Sequence, residues 1–191
     1  MKIVRVVSLL FFFFLACPAL AQKTAVPIKD IALPVTNNIV ILACYQKAVA
    51  GWGGGKSERA TRENFSEFGK AETDKFLVEF SNQMTAGGFV LVANDECKLK
   101  EDDGSINIIV KLSSVYAAFR EDLLVVESMV KVPGKDLVIP AARENINGMN
   151  GIGTGEAVTR ISAAVIKRVR DGQQRSTDTP STLPEIKAKT D

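Results

Sequence analysis

Histidine is absent from the 191 residues. Its absence excludes Ser-His and Cys-His nucleophile pairs, imidazole acid–base catalysis and histidine metal ligation. Cysteine is scarce, with three in all. Cys17 falls in the amino-terminal stretch, and the other two thiolates cannot complete a structural zinc tetrahedron. An excess of charge of one sign is also missing. The formal net charge of +2 includes Lys2 and Arg5, both near the start. Without them the basic residues fall from 24 to 22 and equal the 22 acidic ones. Nothing global therefore points to nucleic acid.

What is present begins with "MKIVRVVSLLFFFFLACPALAQ". Lys2 and Arg5 form a basic start, Val6 to Ala16 is nearly all apolar, and Ala19-Leu20-Ala21 is a small-x-small site. This pattern predicts a signal peptide over 1–21, cleaved after Ala21. The apolar run is shorter than the roughly 20 residues that span a bilayer. Phe-Leu-Ala-Cys17 is a competing lipid-attachment box. It is the weaker reading, because Phe14 stands where an aliphatic residue is usual and Pro18 follows the cysteine. Export to an oxidising compartment predicts one disulfide between Cys44 and Cys97, with two buried free thiols as the alternative.

Residues 22–37 carry two prolines and no helical period, and read as an extended lead-in. The apolar run Ile39 to Tyr45 predicts a buried strand. Glu63 to Met84 predicts a helix, with Phe65, Phe68, Phe76, Leu77, Phe80 and Met84 toward one face. Gly69 is its weak point, and Gly87-Gly88 is its stop. "FVLVAN" (89–94) reads as a strand. Ile106 to Phe119 and Leu123 to Val132 alternate like strands, and "DLVIPAARENI" (136–146) reads as a further short one. Glu156 to Arg170 predicts a second helix, with Ala157, Val158, Ile161, Ala164, Val165 and Val169 on its apolar face. From Gly172 the chain is polar and reads as a disordered tail, 172–191.

These pieces predict a single α+β domain over 38–171. Its order is β-α-β-β-β-(β)-α, a mostly antiparallel sheet of four to five strands with two amphipathic helices on one face.

"AVAGWGGGKSE" (48–58) raises a question of chemistry. Ala50 to Ser57 fits the relaxed phosphate-loop string. Such a loop requires backbone amides around the phosphates, a lysine reaching them and a parallel βαβ context. The later strands read as antiparallel, and Ala50 replaces the first glycine, so the string is read as a decoy. Residues 48–64 are then a surface loop. Within it Trp52, the single tryptophan, lies beside Lys56 and Arg59. Either Trp52 folds back on the domain, or the three residues contact a partner protein, a glycan or a membrane surface. "GMNGIGTGE" (148–156) reads as a flexible turn in which Thr154 caps the last helix. The acidic runs Glu101-Asp102-Asp103 and Glu121-Asp122 sit in polar turns, where solvated carboxylates outweigh a paired-acid hydrolase. No cofactor or metal site is expected, and no enzyme.

"NNIVILACYQ", "FSNQMTAGGFVLVAN", "SINIIVKLSSVYAAFREDLLVVESMVKV" and "GEAVTRISAAVIKRV" together resemble a recurring small domain of bacterial envelope proteins. The pattern is similar to the auxiliary lipoproteins of envelope ABC lipid-transport systems. It also resembles the α+β domains of the curli secretion channel and the amino-terminal part of the Tol system's periplasmic protein. In these a helix ending in a glycine pair feeds a strand, and a final helix rests on the sheet. The resemblance covers about 38–171; the first loop here is longer and richer in glycine. It implies a periplasmic, non-catalytic accessory or assembly subunit of a secretion or transport complex, docking other envelope proteins. A carrier of lipid, glycan or peptide in a cavity between helices and sheet is the alternative.

Overall fold

The computed structural model describes residues 31–50, 58–59, 61–98, 104–117, 122–147 and 151–178. For 48–50, 58–59, 116–117 and 122 it describes the backbone only. The fold is α+β, as the sequence pattern predicts. Six strands form one sheet: β1 (Asn38–Ala50), β2 (Glu58–Arg59), β3 (Val90–Asp95), β4 (Ile106–Ala117), β5 (Asp122–Lys131) and β6 (Val138–Ile146). Two α-helices complete it among the described residues, α1 (Glu67–Ala86) and α2 (Thr154–Asp178). The strands run β2-β1-β4-β5-β6, and β3 shares the outer edge of β1 with β2.

The β4-β5-β6 half is the antiparallel meander that its short connections require. The other half is mixed. β1 pairs in parallel with β3 on one edge and with β4 on the other. The cause is the chain path: α1 separates β1 from β3, and the chain from β3 to β4 must pass β1 to reach its far edge. Parallel neighbours need such crossovers.

One face of the sheet carries the core. Ile39 and Ile41 of β1, Ile108 and Val110 of β4, and Leu124 and Val126 of β5 alternate onto it and are buried with the helices. From α1 come Phe76, Phe80 and Met84, and from α2 Val158, Ile161, Val165 and Val169. Phe76 and Phe80 stack at 5.7 Å between centroids. Phe68 is only half-buried.

Local chemistry sets the helix ends. α1 begins later than the expected Glu63. Arg62–Asn64 forms a single 3-10 turn, and the Ser66 hydroxyl then accepts the Gly69 N–H at 3.1 Å, a side-chain N-cap. The helix passes through Gly69 unbroken, since a Cβ there would stand 3.4 Å from the Ser114 Oγ and glycine lets the first turn lie close to β4. At the other end Gly88 adopts φ +87°. Its N–H donates to the Thr85 carbonyl, and the Phe89 N–H donates to that of Met84. This is the Schellman pattern, with Met84 and Phe89 both in the core.

α2 corrects two expectations. It runs to Asp178, so the tail expected from 172 begins inside the helix and the domain passes 171. The lead-in expected over 22–37 likewise joins the fold from Ile31 onward, with Ile31 and Leu33 in the core. One clasp explains both. The Leu33 N–H donates to the Gly172 carbonyl at 2.9 Å. The Gln173 amide donates to the carbonyls of Thr36 at 2.5 Å and Pro34 at 3.3 Å, and the Ser176 hydroxyl donates to that of Leu33. The polar residues that look like a tail thus satisfy the backbone of an extended segment. Arg170 extends the clasp: it bonds the Asn37 side chain and the Gly87 carbonyl, and lies 4.5 Å over the Phe89 ring. At the start of α2, Thr154 sits within the first turn, and its hydroxyl donates to the Glu72 carboxylate of α1 in place of the expected cap. Residues 1–30 and 179–191, including the expected leader, lie outside the described residues. Among the described residues, no helix is long and apolar enough to cross a membrane.

Candidate functional site

The outer edge of β1 is where the structure concentrates unusual features. β3 forms the first part of that edge, and among the described residues its own far side carries no strand. Val90, Leu91 and Val92 are 57%, 36% and 49% exposed. Three successive exposed aliphatics on an edge strand are unusual, because edge strands are commonly blunted with charge, proline or a covering loop. A register shift opposite Ile39 and Val40 leaves Val92 without a partner in the ladder, so β3 kinks there.

Beyond β3 the edge opens into a cleft of about 390 Å³. Its base is Ala43–Gln46 of β1, its wall Glu96–Lys98, and Thr61 and Lys111 close it. The Cys44–Cys97 disulfide holds the wall to β1, with Cα atoms 4.7 Å apart. Since Ala43 and Tyr45 face the helices, alternation puts Cys44 on the opposite face of the sheet. Cys97 adopts φ +45°, a left-handed conformation uncommon for residues other than glycine.

Tyr45 stands at the base, its ring edge-on to Phe65 at 5.5 Å. Burial raises its phenol above the ordinary tyrosine value; nearby Arg62 opposes the shift and Glu96 adds to it. Arg62 is itself ion-paired with Asp74 of α1. Lys111 lies directly across the ladder from Glu127. The Glu127 carboxylate, however, is bound by Arg143 of β6 at 3.2 Å.

Of the residues expected to contact a partner, Trp52 and Lys56 lie outside the described residues. Arg59 is placed by its backbone in β2, opposite Gln46. Cys44 and Cys97 are brought together and bonded. The phosphate-loop string meets a specific obstacle. Glu58–Arg59 directly follows it and returns antiparallel along β1, where a phosphate loop would open a helix. Of the acidic runs, 101–103 and Glu121 lie outside the described residues. Among the described residues no group of three or more Cys, Asp or Glu is placed to hold a metal.

Sequence reasoning overlooked Lys98, Lys111 and the exposed side of "FVLVAN". A contiguous apolar run is the signature of a strand buried on both faces. Only the topology shows that this one is an edge.

No protein-family model and no curated protein matches this sequence. Among solved structures, the crystal structure of an uncharacterized protein aligns at 14% identity with a TM-score of 0.29. That alignment covers 76% of this chain and 95% of the other, a likeness too slight to bear on function.

Proposed function

We propose that this chain is an exported, non-catalytic accessory or assembly subunit of a bacterial envelope secretion or transport complex, and that it works by docking. Export would run through the leader over 1–21, with cleavage after Ala21 and residence in the periplasm. The Cys44–Cys97 disulfide suits an oxidising compartment. The observation that carries the docking reading is the open edge of β3 with Val90, Leu91 and Val92 exposed. An extended partner segment would add a strand there, its main-chain bonds giving affinity and the aliphatics giving specificity. Trp52 and Lys56, between β1 and β2 in the sequence, and Arg59 of β2 are proposed as additional contacts.

The carrier reading draws on the edge cleft. Between helices and sheet, Phe76, Phe80, Met84 and Phe89 are at most 2% exposed, so a carried molecule would sit at the edge. Crosslinked recovery from intact cells tests the docking reading. The native chain should recover defined envelope proteins, and Val90→Lys with Val92→Lys should abolish that recovery. Unchanged recovery by the double variant would refute it, and a small molecule retained in native mass spectrometry would favour the carrier.

A further inference from the structure

The edges formed by β6 and β3 are built differently. β6 is guarded. Pro140 lacks an N–H, a register shift leaves Ala141 without a partner in the ladder, and Arg143 and Glu144 carry charge. β3 instead opens with the exposed run Val90, Leu91 and Val92. The Val90 N–H donates to the Asn37 carbonyl at 2.8 Å, so the peptide groups of Val90 face β1. Successive residues of a strand turn their peptide groups to alternate sides. The N–H and carbonyl of Leu91 therefore point away from β1, where among the described residues no strand lies. Leu91 is thus both the middle of the exposed run and the residue that offers its main-chain groups to an incoming strand.

That arrangement is symmetric about Leu91. In an antiparallel pair, two facing residues exchange both of their main-chain bonds. We propose that β3 pairs antiparallel with β3 of a second copy of this chain, Leu91 against Leu91 across a two-fold axis. Each Leu91 N–H donates to the carbonyl of the other. The register sets Val90 opposite Val92 of the second copy, on both sides of the axis. These are non-hydrogen-bonded pairs, the kind that brings side chains closest. All three exposed aliphatics are then covered by the same three of the other copy. The register also sets Gly87 opposite Asp95 of the second copy. Arg170 bonds the Gly87 carbonyl, and its other hydrogen-bond acceptors, on Asn37 and Gln173, are neutral too. The pairing therefore brings the acidic end of one β3 to the Arg170 guanidinium of the other copy, twice by symmetry. The kink at Val92 confines the ladder to a few residues on each side of the axis, and the two-fold closes the contact as a dimer.

This inference rests on the docking reading for its open β3 edge and names the chain docked there. The test uses the full exported chain with its disulfide intact, in sedimentation equilibrium up to about 100 μM. So short a contact suits micromolar affinity. The apparent mass should rise reversibly toward twice that of the monomer. Val90→Lys with Val92→Lys sets like charges against each other across the axis and should leave a monomer. Leu91→Cys gives a second reading, because facing hydrogen-bonded residues stand with Cα atoms about 5.5 Å apart, within disulfide range. Mild oxidation should link that variant as a dimer. Val138→Cys, exposed on β6 at the other edge, should stay unlinked. A chain that is monomeric throughout, a dimer that survives the double lysine variant, or a Leu91→Cys chain that does not link would overturn the proposal. Crosslinked recovery of envelope proteins depends on none of these outcomes, so the failure of this proposal and that of the docking reading are distinguishable.

Discussion

Leu33 and Gly172, far apart in the chain, meet at van der Waals contact or closer. The Leu33 N–H donates to the Gly172 carbonyl, and a Cβ on Gly172 would stand 2.6 Å from Leu33 Cδ1 and 3.2 Å from its Cβ. Gly→Ala inside a helix ordinarily stabilises by about 1 kcal/mol. Here the incoming methyl meets the body of Leu33 as well as its tip. Gly172→Ala is therefore expected to destabilise by about 1–3 kcal/mol, the usual cost of overpacking. Gly155→Ala, in the first turn of the same helix with only the Glu79 carboxylate at 3.9 Å, should be neutral or stabilising. Urea unfolding of the two variants checks the difference in sign.

This contact also marks the limit of what the sequence discloses. Ile106, Ile108, Val110 and Leu112 alternate visibly, and the helix faces recur at the helical period, so elements and core were readable. The last turns of α2 were not, since Gly172, Gln173 and Ser176 look like tail residues. Their partners are main-chain groups of Leu33, Pro34 and Thr36, more than a hundred residues away. The parallel pairing of β1 with β4 was hidden for the same reason: it follows from where the chain crosses, which periodicity does not encode. At the candidate site, the Cys44–Cys97 bond was inferable from number and compartment. The exposed edge of β3 depends on strand order, which periodicity does not encode.

The disulfide closes a separation of 53 residues. Chain-entropy arithmetic for a loop of that size gives about 4 kcal/mol at 25 °C. Reduction, or Cys44→Ala with Cys97→Ala, is expected to lower stability by about 2–4 kcal/mol. The same bond holds Glu96 and Lys98 at the cleft. Unfolding with and without reductant checks the loss of stability, and an unchanged midpoint would contradict it.

Thr73 of α1 is fully buried, and its hydroxyl has no hydrogen-bond partner among the described residues. A buried unsatisfied polar group costs about 1–3 kcal/mol. Thr73→Val keeps the branched shape and removes the hydroxyl. It is expected to raise stability by about 1 kcal/mol, read as a higher denaturant midpoint at unchanged slope. A fall in the midpoint would show that the hydroxyl is satisfied in solution.

Tyr45 sets an alkaline limit on the fold. Burial raises its phenol above the ordinary value of 10.0, with Glu96 adding to the shift and Arg62 opposing it. The folded state therefore holds the proton to higher pH than the unfolded chain does. The stability this contributes is fully present below the unfolded value, and is lost as pH rises from about 10 through the folded value. Unfolding free energy should thus fall with pH in that alkaline window. Tyr45→Phe, which cannot ionise, should flatten that part of the fall. Ultraviolet titration provides a second reading, since Tyr45→Phe should remove the tyrosinate signal that develops late. Glu96→Gln should move that signal to lower pH, because it deletes a charge that opposes ionisation, and Arg62→Ala should move it higher. A late signal that persists in Tyr45→Phe would assign the shift to Tyr116, the chain's other tyrosine, and remove Tyr45 from the account.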